Sequence, residues 1–355
     1  MLVFDLGLVA ARMAAARAAA RAAGVSLLYA VKSFPVAEAV ALAAARLDGL
    51  DVAGPEEQAL ALGAAATRVS VTYPGGVDVA AVQALAARHD VTVVCETEAQ
   101  VAAAAAIAGV RIVARVSASE LVDEEVAGGV REPDGRHVSR FGAAPAAVPA
   151  LVAAGRGRVR GLHVHGGPLA TAPARVARVA RAAVALAAAA EVPLEVLDLG
   201  GSLHGFVLDA PAAGVATVAA AFAAARAEVP REVELIFEPG RLWTEGAGWA
   251  EGTVVAAREL GARAVRVLDL SRLCHLRWST PRLRAPAPRP GERAEVVLLG
   301  ATCCEDDVIG EAWVRPDGVP AVGERVRLDG VSGYAAAWNR GFAGVPAAQL
   351  VLVPP

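Results

Sequence analysis

A (β/α)8 barrel followed by a C-terminal antiparallel β domain is the fold this sequence predicts, and three observations predict it. Eight short β-rich runs alternate with Ala-rich helical stretches as far as Glu238. Beyond Pro239 the rhythm changes to strands without long helices. The length of 355 residues suits one barrel of about 250 residues with an appended domain.

The eight runs are Leu27–Lys32, Leu50–Ala53, Val69–Tyr73, Val91–Cys95, Arg111–Val116, Val159–His165, Leu194–Leu199 and Val233–Glu238. Between them lie helical segments such as Ala37–Leu47, Glu56–Ala65, Val77–Arg88 and Ala174–Ala190. Strand, helix, strand in the same sheet demands a right-handed parallel crossover, and eight such units close a barrel. The later runs are Gly252–Glu259, Ala264–Ser271, Glu295–Gly300, Glu324–Leu328 and Gln349–Val353, read as an antiparallel domain. Three prolines make Arg282–Pro290 an irregular connector. The expected division is therefore a barrel at 1–245 and a β domain at 246–355.

Composition narrows the functional classes. Hydrophobic residues make up 55% of the chain, enough for a large core, and 34 basic against 37 acidic side chains leave a net charge of −3. That balance carries no basic footprint for nucleic acid. Apolar runs such as Val101–Val110 and Ala182–Ala190 are broken by charge, Gly or Pro well short of the roughly 18 residues a membrane span needs. Met1–Ala10 contains Asp5 and no basic leader region, so a cytoplasmic protein is expected. Four cysteines without CxxC or Cys/His spacing support neither a disulfide framework nor a structural metal site.

Reactive groups of a barrel sit at the C-terminal ends of its strands. Here those ends read Lys32, Asp51, Arg115, His163 and His165, Gly200-Gly201 and Glu238. Any one of them alone reads as a polar strand end reaching water; six together point to a site. Lys32 is the only lysine among the 34 basic residues. This composition uses arginine wherever charge suffices, and a guanidinium cannot form an imine, so Lys32 is marked as a chemical lysine. Loops after the seventh and eighth strands are the usual phosphate site of a barrel, and here they carry Gly200-Gly201-Ser202 and Glu238-Pro239-Gly240-Arg241.

Tyr-Ala-Val-Lys at 29–32, Asp-Val-Ala at 51–53, Ser-Arg-Phe-Gly at 139–142, His-Val-His at 163–165, Leu-Asp-Leu-Gly-Gly at 197–201, Glu-Pro-Gly-Arg at 238–241, Gly-Ala-Thr-Cys at 300–303 and Gly-Tyr at 333–334 occur in order. The set resembles the ornithine/diaminopimelate/arginine decarboxylases, pyridoxal-phosphate enzymes of the alanine-racemase fold. The resemblance implies that Lys32 holds pyridoxal 5'-phosphate through an imine and that His165 stacks on its ring. It implies a phosphate held by Gly200, Gly201, Ser202, Gly240, Arg241 and Tyr334, with Asp51 and Arg115 near the cofactor's other edge. Glu238 matches the carboxylate paired with the pyridine nitrogen. A carboxylate there keeps the ring protonated and favours loss of carbon dioxide, whereas the arginine of the related alanine racemases does not. Cys303 matches the cysteine that, in the resembling enzymes, reaches the partner subunit's site and returns a proton, which implies a homodimer with shared active sites.

The sequence also departs from that family. Members acting on basic amino acids usually place Asp or Glu directly after the cysteine; here Cys304 stands there and Glu305-Asp306-Asp307 follow. This arrangement is similar to divergent decarboxylases of siderophore and natural-product pathways. Cys304 and Glu305 are the candidate substrate contacts, with acids at a helix N-terminus as the alternative reading of 305–307. Arg277 loosely matches a substrate-binding arginine, and a solvated surface arginine is its alternative. Pro168 stands where the family generally has a serine, and the N-terminal strand that members donate to the β domain looks short or missing. An amino-acid decarboxylase is the expected activity; a racemase or epimerase, or a silent cofactor-binding homologue, are the alternatives.

Overall fold

The structure, a computed structural model, describes residues 1–355 other than 125–128, 133–134, 167–171, 202 and 204–210, with 211–213 described by backbone alone. The chain divides into two compact units, one formed between Ala10 and Leu242 and the other by Met1–Val9 with Trp243–Pro355. Strands are numbered along the chain. The first, β1 (Leu2–Asp5), lies outside the barrel.

The barrel unit contains β2 (Ser26–Ala30), β3 (Gly49–Val52), β4 (Arg68–Thr72), β5 (Asp90–Cys95) and β6 (Arg111–Arg115). After a two-stranded excursion, β7 (Val130–Arg131) with β8 (His137–Val138), it continues with β9 (Val159–His163), β10 (Val196–Asp198) and β11 (Glu234–Phe237). The eight barrel strands pair in parallel and close with β11 against β2. Each is Val/Leu/Ile-rich because a parallel strand covered by helices is buried on both faces. Leu28, Val94, Val113, Val196 and Ile236, from five different strands, form one buried cluster, so the barrel interior is a packed core.

Local signals set the crossover helices. Pro55 and Pro173 open theirs, where a missing N–H costs nothing. Asp78 caps Val79–Ala86, and Thr97 with Gln100 forms a reciprocal capping box on Glu98–Ala105. Gly161 is dictated by β9–β10 proximity: a Cβ there would lie 2.0 Å from the Val196 carbonyl oxygen.

The second unit holds β12 (Gly248–Leu260), β13 (Arg263–Leu268), β14 (Arg282–Leu283), β15 (Ala294–Leu299), β16 (Val308–Val314), β17 (Arg325–Asp329) and β18 (Leu350–Val353). Two pairings, β1 with β18 and β13 with β15, are parallel, so the sheet is mixed where an antiparallel one was expected. The N-terminal strand is also present. Leu2 and Phe4 are fully buried, and β1 pairs with β12 on one side and β18 on the other. Four residues are too few to show a period, and both partners lie far along the chain.

Candidate active site

Lys32 sits one turn beyond the strand that delivers it. The strand ends at Ala30, and Val31–Ser33 form a 3-10 turn. That turn is closed by Ser33 Oγ donating to the Ala30 carbonyl (2.7 Å) and Phe34 N–H to that of Val31 (3.1 Å). The Lys32 ammonium meets the Asp51 carboxylate at 2.5 Å. Asp51 is fully buried. Burial and the charge of Glu238 raise its carboxyl above the usual range, while Lys32 pulls it back. Its Oδ1 is buried without a hydrogen-bond partner among the described residues.

Arg115 ends β6 and lies over the Phe141 ring at 4.8 Å. The loop carrying Phe141 is fastened by Gly142 N–H donating to Glu96 at 2.8 Å. Glu96, at the end of β5, also faces Arg115 electrostatically, opposing the lowering of the guanidinium by burial. Sequence reading passed over Glu96, since an acid after a strand looks like a solvated end.

The adjacent strands β9, β10 and β11 bring His163, Asp198 and Glu238 together. His163 Nε2–H donates to Glu238 Oε2 at 3.3 Å, and both side chains are buried. Burial raises the Glu238 carboxyl, but the charge and hydrogen bond of His163, the Lys32 ammonium and a hydrogen bond from Asp198 outweigh it and leave Glu238 at about 2. Asp198 moves the other way. Burial and the Glu238 charge push it well above the carboxylate range, so the two buried acids are shifted in opposite directions. The three residues offer ligand atoms within 4.8 Å of one another. Asp198 Oδ1 already accepts from Gly200 N–H at 2.7 Å, and His163 Nε2 is bonded to Glu238, so the group is hydrogen-bonded. In the sequence His163 reads as a polar strand end with no role of its own, and Asp198 appears only within the run Leu-Asp-Leu-Gly-Gly.

His165 follows β9, and its ring is pushed down to about 3 by enclosure and by the charges of Arg115, His163 and Lys32. It is therefore neutral. Between about pH 6.5 and 3 the unfolded chain binds a proton at this ring that the folded chain does not. Stability must then fall as pH drops through that window. His165→Phe is expected to move the acid-unfolding midpoint, read by circular dichroism, to lower pH.

Gly200 has φ +64°, and a Cβ there would sit 2.9 Å from His165 Cδ2; one on Gly201 would sit 2.5 Å from the Glu238 carbonyl oxygen. Both positions are glycine because ring and backbone approach them so closely. Gly240 is buried, and Arg241 starts the turn Arg241–Trp243. Ser202 and Pro168 lie outside the described residues.

The remaining candidates belong to the second unit. Tyr334 meets Trp278 edge-on (5.0 Å between ring centroids), Trp278 meets Trp338 (5.8 Å), and Arg277 stacks on Trp338 at 4.4 Å. Cys303, Cys304 and Glu305 lie in the loop between β15 and β16, with Cys303 and Glu305 exposed and Cys304 half-buried. No helix starts at Glu305-Asp306-Asp307, which corrects that alternative. Asp307 is buried and ties the loop instead, accepting from Arg272 N–H (2.6 Å) and from the Thr302 hydroxyl (2.6 Å).

Residues 6–245 match the pyridoxal binding domain of the pyridoxal-dependent decarboxylases. The chain belongs to that family. Its cofactor is pyridoxal 5'-phosphate, and it is an amino-acid decarboxylase. No curated protein sequence matches this decarboxylase. Its fold is similar to that of the Paramecium bursaria Chlorella virus arginine decarboxylase bound to agmatine, with a TM-score of 0.80, 17% identity, and 100% of this chain and 95% of that one covered. The Vibrio vulnificus lysine/ornithine decarboxylase complexed with putrescine gives 0.79, 19%, 99% and 93%. The Campylobacter jejuni carboxynorspermidine decarboxylase complexed with norspermidine gives 0.75, 17%, 99% and 93%. Among the described residues of the decarboxylase, no helix is long and apolar enough to cross a membrane.

The barrel residues fit the cofactor. Glu238 Oε1 is buried with no hydrogen-bond partner among the described residues, an acceptor suited to a protonated ring nitrogen. Gly200 and Gly201 keep free the space that a Cβ would fill, and Lys32 supplies the one primary amine of any side chain.

Proposed function

We propose that this protein removes the carboxyl group of an amino acid or an amino-acid-derived substrate, with Lys32 as the covalent anchor, Glu238 at the ring nitrogen and Cys303 as the proton donor. The observation that carries the reading is Glu238, held ionised with Oε1 unspent beside the glycine cradle. When bound, pyridoxal phosphate supplies the electron sink that accepts the pair released with carbon dioxide. Around it, the neutral His165 ring offers a flat face for stacking. Gly200, Gly201, Ser202, Gly240, Arg241 and Tyr334 would hold the phosphate, Asp51 would keep the Lys32 amine oriented, and Arg115 would be a further cofactor contact. In this reading residues 1–245, apart from Met1–Val9, would carry the cofactor-binding part, and 246–355 would contribute to the site of a dimer.

Cys303 is exposed at a loop tip, where a thiol can serve a second subunit. A homodimer with shared active sites follows from that role. Cys303→Ala is expected to bind cofactor as tightly as the unaltered protein while product formation falls roughly 10²–10⁴-fold, the usual worth of a positioned proton donor. Lys32→Ala and Cys303→Ala proteins mixed and reassociated should recover about a quarter of full activity, because half the random dimers then hold one intact site. No recovery on mixing excludes sharing.

The solved neighbours hold agmatine, putrescine and norspermidine, all amines with a distal cationic group. Here Cys304 replaces the acid expected beside Cys303, so Glu305 and Arg277 meet the substrate's far end and select a different side chain, in specialised biosynthesis within the cytoplasm. The test is an absorbance spectrum with pyridoxal phosphate before and after borohydride, with carbon dioxide scored over a panel of D- and L-amino acids. Fixation on Lys32 with release from one amino acid is expected. Fixation without release from any amino acid overturns the substrate class, and no fixation overturns the anchor.

A further inference from the structure

We propose that His163 is a positioning residue for the cofactor's ring nitrogen, holding Oε2 of Glu238 so that Oε1 stays turned toward that nitrogen. This rests on Glu238 being the ring-nitrogen partner, and it assigns to a second histidine of the His-Val-His run a task separate from that of His165.

Register places His163 opposite Arg115 of β6 on one side and Asp198 of β10 on the other. Three polar side chains thus share one level of the barrel. The His163 backbone is held independently of the ring, since its carbonyl accepts from Val116 N–H at 2.9 Å. The ring makes its hydrogen bond to Glu238 Oε2, and Nδ1 has no partner among the described residues. A buried polar ring costs stability unless its bonds return something. Here the single bond goes to the carboxylate that serves the cofactor. Glu238 is faced from every neighbouring strand: by Lys32, Asp51, Arg115, His165 and Asp198, besides His163. Asp51 is a like charge, and Asp198 is an acid whose Oδ1 is occupied by Gly200 N–H at 2.7 Å. Lys32 is engaged with Asp51. His163 is therefore the donor that fixes which oxygen of Glu238 remains free.

Asn and Gln separate this role from simple packing, because the Gln amide nitrogen reaches the place of Nε2 and that of Asn only the place of Nδ1. The experiment compares His163→Asn, His163→Gln and His163→Leu holoenzymes loaded with pyridoxal phosphate carrying 15N in the ring. The ring-nitrogen chemical shift reports protonation, and titration of each apoenzyme gives the cofactor Kd. Unaltered protein and Gln are expected to show a protonated nitrogen at neutral pH. Asn and Leu should lose that signal and bind cofactor about 10–100-fold more weakly, the worth of one charge-assisted hydrogen bond. Asn and Leu with unchanged shift and Kd overturn the proposal, as does a Gln variant no better than Asn. An unprotonated nitrogen in the unaltered protein overturns the Glu238 assignment itself, and the two failures are thereby told apart. Should Leu fail to fold, the Asn and Gln pair, both polar, decides the matter.

Discussion

Lys32→Ala is expected to abolish covalent attachment of pyridoxal phosphate and to lower kcat/KM by about 10³-fold or more, since one residue supplies both the attachment and a positioned amine. Borohydride followed by peptide mapping reads the first effect, and carbon dioxide release reads the second. Lys32→Arg should be no better. A guanidinium keeps the charge beside Asp51 but neither loses its proton nor forms an imine. Arginine is what this chain uses for almost every other cation. Removing the ammonium also strips Asp51 of its 2.5 Å partner, leaving burial and the Glu238 charge to raise that carboxyl further. The alanine variant should therefore take up a proton at Asp51 at a higher pH than the unaltered protein, visible in the Asp51 carboxyl carbon resonance. Retained fixation and turnover in both variants would remove Lys32 from the reaction.

Much of this site was legible because its chemistry sits where the barrel puts it. Parallel strands buried on both faces read as apolar runs, so all eight could be found, and the polar residues at or next to the ends of several runs (Lys32, Asp51, Arg115, His165 and Glu238) mark the site. Lys32 and Glu238 stood out by residue type at those ends. What stayed hidden depends on neighbours remote in sequence. β1 is four residues long, and its partners β12 and β18 lie more than two hundred positions away. β16 was passed over since Gly310 and Glu311 interrupt its pattern. Asp198 and Glu238 shift in opposite directions only when β10 and β11 lie side by side. A run of three acids suggested a helix start, whereas Asp307 turned inward to tie its own loop, an outcome set by Arg272 and Thr302 and by nothing adjacent to the run.

Glu238→Gln should lower kcat about 10²–10³-fold, the loss that follows when one preorganised charge is removed from a dry site. The amide keeps the shape and can still accept from His163, so the change isolates charge from packing. Its pH signature is the decisive part. In the unaltered protein the carboxyl titrates near 2, below the roughly 4.3 of an unfolded glutamate. The stabilisation it contributes is thus complete above that unfolded value and is lost only as pH falls through about 2. Across any ordinary assay range Glu238 stays ionised, and no acidic limb of the rate profile belongs to it. The Gln variant should accordingly be slow at every pH, with no pH that restores it. Asp198, relieved of the charge that helps hold it protonated, should meanwhile titrate lower. If Asp198 then took over as the ring-nitrogen partner, activity would return as pH rises through its new pKa, and that limb would show the protein's ionised acid to be interchangeable between two strands rather than fixed on β11. The geometry argues for fixation: Asp198 Oδ1 is held by Gly200 N–H at 2.7 Å, whereas Glu238 Oε1 is buried with no hydrogen-bond partner among the described residues.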